Sequence, residues 1–124
     1  MKPIFSAKVP KPVGPYSPAI RAGNFVFCSG QVALDPATGT LVDGDVTAQT
    51  EQVMKNVAAV LEAAGADFGD VVKTTVFLTE MADFPAVNAA YGRHFGKVPP
   101  ARSTVAVAAL PLGARVEIEV IARK

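Results

Sequence analysis

The sequence predicts an α+β domain: one sheet with two helices on one of its faces. Three observations carry this. Apolar residues alternate with a period of two near both ends of the chain, over residues 19–30 and 101–122. A helical period appears in only two stretches, near residues 46–64 and 83–95. The chain has 124 residues, enough for a single domain with a core of its own.

The elements follow in chain order as strand, hairpin, helix, strand, helix, strand, strand. Residues 7–18 hold Pro10, Pro12, Pro15 and Pro18. Proline fixes φ and removes a donor, so this stretch reads as a stiff, extended loop. Tyr16 lies within it, either capping a core edge or held as a phenol at a pocket mouth. Ala19 to Ala22, Gly23-Asn24 and Phe25 to Gly30 read as a β-hairpin. Phe25, Phe27 and Ser29 share one face of its second strand, and Val26, Cys28 and Gly30 the other. Gly30 ends that strand and, without a Cβ, permits close approach of another group. Asp35-Pro36-Ala37-Thr38-Gly39 and Asp43-Gly44 carry turn chemistry.

The first helix is expected over about Val46 to Ala64, with Val53, Val57, Val60 and Leu61 on its apolar stripe. Asp45 or Thr47 is the expected N-cap and Gly65 the stop. Val71 to Thr79 is rich in β-branched residues and reads as a strand. Asp83 is expected to cap the second helix, whose core face is Phe84, Val87, Tyr91 and Phe95. Asn88 lies beside that face, and His94 falls near the helix end. A turn at Gly96 to Pro100 leads to the last two strands, which meet at a Pro/Gly turn around Pro111-Leu112-Gly113.

Composition excludes several function classes. Hydrophobic residues make up 50% of the chain, yet no apolar run reaches the ~18 residues a membrane helix needs. The N-terminus has no signal-peptide core, so no membrane partner is expected. Twelve basic and 11 acidic residues give a net charge of +1, without the basic run that a nucleic-acid partner would require. The single cysteine, Cys28, rules out an internal disulfide and fits a reducing, cytoplasmic compartment. It reads as a small buried hydrophobe. One His and one Cys cannot build a zinc site of the usual type, so no metal is expected.

The charged residues of the last two strands point to chemistry. Side chains alternate along a strand, so Arg102, Thr104 and Ala106 share one face. Arg115, Glu117, Glu119 and Ile121 likewise share one face, while Val116, Ile118, Val120 and Ala122 take the other. With both helices over the apolar face, Arg102 and the Glu pair are expected together on the uncovered face, which predicts oligomerisation through it. An Arg fork matches a planar carboxylate with two parallel hydrogen bonds, and a neighbouring Glu can accept a proton or hold a water.

Pro100-Ala101-Arg102-Ser103-Thr104-Val105, Ala109-Leu110-Pro111 and Val116-Glu117-Ile118-Glu119 resemble the C-terminal signature of the Rid (YjgF-like) family. The resemblance extends to Gly14-Pro15-Tyr16-Ser17, Ser29-Gly30-Gln31, Gln52 with Asn56, the run Val72 to Leu78, and Phe84 with Val87, Asn88 and Tyr91. It covers nearly the whole chain. It implies a chorismate-mutase-like fold: a six-stranded mixed sheet with two helices on one face, forming a homotrimer around a central barrel with sites at the subunit clefts.

The resemblance also implies an activity, hydrolysis of 2-imino and 2-enamino acids such as 2-aminoacrylate and 2-iminopropanoate to 2-oxo acids and ammonia. Arg102 would then clamp the substrate carboxylate and Glu117 would move the proton. Backbone groups at Gly30 and Thr104 would hold the carboxylate or the imine nitrogen, and Tyr16 and Asn88 would complete the wall. No cofactor is called for. Glu117 is expected to stay ionised beside Arg102, and Glu119 to pair with Arg115 or line an interface. Many members of the family carry Cys where this chain has Thr104, so thiol-based regulation at that position is excluded. Two other classes stand beside this one: an endoribonuclease, as attributed to some members, and a non-catalytic binder of small 2-oxo acids.

Overall fold

The computed structural model describes the whole chain, Met1–Lys124. Its elements are β1 (Lys2–Ile4), β2 (Ala19–Ala22), β3 (Phe25–Cys28), α1 (Val46–Ala63), β4 (Val71–Leu78), α2 (Phe84–Gly92), β5 (Ala101–Ala106) and β6 (Val116–Arg123). The strands form one mixed sheet in the order β1-β2-β3-β6-β4-β5. Only β4 and β5 are parallel, joined by the crossover through α2 as a parallel pair requires.

Local signals place most boundaries. Gly23, at φ 59°, opens the β2–β3 turn. The Asp45 carboxylate accepts the Ala48 N–H at 2.9 Å and starts α1. Gly65, at φ 77°, follows its last residues. The stripe of Val46, Val53, Val57, Val60 and Leu61 is buried, as expected, and Met54 joins it. Asn56, also on α1, donates to the Val32 and Leu34 carbonyls at 3.1 and 2.8 Å, anchoring the loop after β3.

The second helix differs from expectation. It ends at Gly92, so His94 and Phe95 lie beyond it. Phe95 still packs on the core, with its ring 4.7 Å from Tyr91 and 5.4 Å from Phe68. His94 Nε2 lies 3.3 Å from Glu51, so a side chain of α1 rather than a helix terminus is its partner. Asp83 occupies the N-cap position without capping. Its carboxylate instead takes both hydrogen bonds from Arg115 Nη2, each 2.9 Å. That also corrects the expected Arg115–Glu119 pair.

The largest correction concerns the last two strands. They are not neighbours, because β4 lies between them. Arg102 and Thr104 sit opposite Thr74 and Val76, which sit opposite Val120 and Ile118 on the other side. Arg102 and Thr104 therefore share the helix-covered face with Val116, Ile118 and Val120. Glu117 and Glu119 sit opposite Phe77 and Thr75 on the uncovered face. Alternation fixes parity within a strand, but register between strands decides which parities coincide. The expectation that Arg102 and the Glu pair share a face fails for that reason.

The uncovered face holds Phe25, Phe27 and Val105, which are 40%, 46% and 43% exposed, beside Lys73, Thr75 and Ile121. No helix of the chain is long and apolar enough to cross a membrane.

Candidate active site

The predicted residues form two groups on opposite faces of the sheet. The first is built where β3 leaves the sheet. Pairing with β6 passes from Phe27–Ile121 to Gln31–Ile118, so residues 28–30 face only residues 119 and 120. The extra residue makes a bulge, which re-aims the backbone. Gln31 and Ile118 then exchange both backbone hydrogen bonds, at 2.9 and 3.1 Å. The bulge lays Gly30 against Glu117. A Cβ on residue 30 would lie 2.0 Å from Glu117 Oε2 and 2.8 Å from its carboxyl carbon. Glycine leaves the carboxylate room to lie where a side chain of residue 30 would otherwise stand.

Ser29 ties the proline-rich loop to this point. Its hydroxyl donates to the Ser17 carbonyl at 2.6 Å and its N–H to the Pro18 carbonyl at 2.9 Å. The loop then folds on itself. The Tyr16 N–H donates to the Gly14 carbonyl at 2.9 Å, and the Val13 N–H reaches the Tyr16 hydroxyl at 3.4 Å. Tyr16, Gly30, Glu117 and Glu119 line one cavity of about 410 Å³. Tyr16 is 48% exposed in the wall of this cavity.

Burial pushes the Glu117 carboxyl above its usual range, and the neighbouring Glu119 pushes it further. The expected influence of Arg102 is absent within the chain, because Arg102 lies on the other face. Glu119 makes no ion pair.

The second group gathers where α2 covers the edge strand β5. The Arg102 guanidinium lies over the Tyr91 and Phe84 rings, 4.9 and 5.5 Å from their centroids. Tyr91 is fixed by a 2.7 Å hydrogen bond with Thr74 across the core. Arg102 has no carboxylate partner in the chain. It opens on a groove shared with Asn88, Gly92, Pro99 and Pro100. Asn88 Oδ1 and Thr104 Oγ1 are buried without a hydrogen-bond partner, an unusual state for buried polar atoms.

Cys28 takes part in neither group. Burial pushes its thiol up to about 12, which keeps it an inert hydrophobe as expected. No cluster of three or more His, Cys, Asp or Glu side chains is arranged to hold a metal ion.

Ser29, Leu112 and Glu119 also line the Glu117 cavity, and the sequence alone assigns none of them a place there. Two-residue spacing on one strand was the available signal for Glu119. Ser29 and Leu112 had no signal, because their places depend on a bulge and on a backbone reversal.

The chain is similar to known proteins over nearly its whole length. The sequence profile of the family described as Endoribonuclease L-PSP matches residues 6–124. The chain is 55% identical to Protein DfrA of Myxococcus xanthus, covering 98% of this chain and 94% of that one. It is 50% identical to the mouse 2-iminobutanoate/2-iminopropanoate deaminase, covering 98% and 90%. Among solved structures, RidA from the Antarctic bacterium Psychrobacter superimposes with a TM-score of 0.96 at 44% identity over the full length of both chains.

Proposed function

The chain belongs to the Rid family, whose profile carries the endoribonuclease L-PSP description, and from that premise we propose that it hydrolyses 2-imino acids and their enamine tautomers to 2-oxo acids and ammonia. The observation that carries this reading is the state of Arg102. Its guanidinium is stacked on two aromatic rings at the mouth of a groove and has no carboxylate from its own chain. An always-charged planar fork held this way matches the carboxylate common to all such substrates.

Glu117 is the proton carrier in this reading. Burial and Glu119 raise its carboxyl above the usual range, which makes it a stronger base for a role that must both accept and return a proton. Glu117 takes a proton from water as the water oxygen adds to C2, and the C=N bond becomes a C–N bond. The proton passes to the nitrogen to give the carbinolamine; Glu117 then takes the hydroxyl proton and delivers it to the amine, and the C–N bond breaks as the C=O bond forms and ammonia leaves. Orientation supplies much of the acceleration, because the uncatalysed hydrolysis is already easy. Tyr16 and Asn88 wall the site, and backbone groups at Gly30 and Thr104 hold the substrate.

Side chains on opposite faces of one sheet diverge, so Arg102 and Glu117 of a single chain cannot serve one substrate. We therefore place each site between two copies. One copy contributes Tyr16, Gly30 and Glu117, and the other contributes Arg102, Asn88 and Thr104. A homotrimer closed through the uncovered sheet face would pair them, and exposed Phe25, Phe27 and Val105 support burial of that face.

The test is turnover of imines generated in situ by an amino-acid oxidase. The protein is expected to shorten the lifetime of the imine well below its uncatalysed value. No acceleration at any concentration overturns the deaminase reading. Binding of a 2-oxo acid without turnover assigns the same Arg102 groove to small-acid sensing.

A further inference from the structure

The turn Pro111–Gly113 between β5 and β6 contains the chain's one non-glycine residue with positive φ, Leu112, at φ 60° and ψ 20°. The left-handed region is disfavoured for a leucine because its Cβ crowds the following carbonyl oxygen. Permissive chemistry was at hand, since the next residue, Gly113, also has a positive φ of 74°. The chain's own core does not explain the leucine, which is 61% exposed. Backbone strain that packing does not require concentrates at ligand sites. Leu112 lies in the wall of the cavity that holds Glu117.

The rest of that wall has a consistent chemistry. Val13, Val32 and Leu34 add apolar surface beside Leu112, and the only charged residues are the carboxylates Glu117 and Glu119. An apolar substituent gains by displacing water from the aliphatic wall. A second substrate carboxylate would face two like charges, because this chain's lining holds no cation and Arg102 of the other copy is taken by the first carboxylate.

We propose that Leu112 is the specificity-determining wall for the substrate side chain. The preferred imines are then those of apolar amino acids of leucine-like size, and imines carrying a second carboxylate are rejected. This rests on the deaminase reading of the same cavity.

The test compares wild type with Leu112→Gly and Leu112→Asn, two residues that accept the left-handed backbone without the apolar wall. Imines of leucine, alanine and glutamate are generated in situ by oxidases, with assembly size and melting temperature measured alongside. Wild type is expected to favour the leucine imine over the glutamate imine by about tenfold or more. Both variants are expected to lose about five- to tenfold in kcat/KM for the leucine imine, the scale of a methylene or two in an apolar pocket. The alanine imine should change less than about twofold. Equal losses on leucine and alanine imines, or no change in their ratio, overturn the wall and leave the deaminase reading standing. Calorimetric binding of 4-methyl-2-oxopentanoate and pyruvate separates the opposite case. If wild type turns over no imine but prefers the larger oxo acid, and Leu112→Gly erases that preference, the wall stands and the deaminase reading falls. Neither turnover nor binding by wild type overturns both.

Discussion

The two faces of the sheet are made from the same strands, yet only one is finished within the chain. On the covered face Val116, Ile118 and Val120 of β6 are at most 2% exposed under the helices. On the other, Phe25, Phe27 and Val105 stand 40–46% exposed around Glu117 and Glu119. The difference teaches where chemistry can arise. Each face holds half of the proposed site, an unpaired guanidinium on one and a raised carboxyl on the other. Most of the following predictions remove one half while sparing the other.

The largest effect is expected at the proton carrier. Glu117→Gln keeps the shape of the Gly30 contact and removes the base, so kcat should fall about 10²- to 10⁴-fold with assembly unchanged. Steady-state kinetics with size measured by ultracentrifugation check it. A fully active variant would mean that the site binds and orients without a carboxylate shuttle.

Arg102→Ala removes the other half. Loss of a charged, bidentate contact on the scale of about 2–5 kcal/mol should lower kcat/KM by about 30- to 5,000-fold. Arg102→Lys should recover little, because an ammonium cannot form the fork. Single-turnover and steady-state rates on both variants decide whether the clamp is real, and wild-type kcat/KM in Arg102→Ala removes it.

Gly30→Ala asks how closely the first half is positioned. The added Cβ would lie 2.0 Å from Glu117 Oε2, so the carboxylate must move. A displacement of that order is expected to cost about 100-fold in kcat, with the melting temperature little changed. Unchanged kcat would show that Glu117 acts from more than one position.

The smallest expected effect is a shift in the pH profile. Activity needs ionised Glu117, so kcat/KM should rise with pH through the Glu117 pKa. Glu119 is one cause of the raised value, and Glu119→Gln should move this acid limb to lower pH while leaving the plateau nearly intact. The stability sign is opposite. A carboxyl raised in the folded state favours folding below its unfolded pKa, and that contribution is lost as pH rises through the folded pKa. An acid limb unmoved by Glu119→Gln would assign it to another group.

Local chemistry made much of the fold legible. The Asp45 cap, the Gly65 stop, the α1 stripe and the Gly23-Asn24 turn are each fixed by residues within a few positions of one another. The candidate site residues could be named from the sequence, but their arrangement could not. Nothing in residues 101–122 reveals that β4 inserts between the last two strands, and that insertion sends Arg102 and Glu117 to opposite faces. The α2 boundary failed for a related reason. Phe95 continues the apolar spacing because it packs on Tyr91 and Phe68, though the helix has already ended at Gly92. Asp83, read as a cap, is drawn instead to Arg115, 32 residues away. In each case a long-range contact overrode a local signal.

The central claim is that one site takes Glu117 from one copy and Arg102 from another, and subunit mixing tests it most directly. Glu117→Gln and Arg102→Ala are each expected to be nearly inactive. Unfolded together in equal amounts and reassembled, they should recover about a quarter of wild-type activity, the statistical share for a closed ring in which every site takes one residue from each of two neighbours. A mixture that stays as inactive as its parents, although mass spectrometry shows mixed assemblies, would contradict the account.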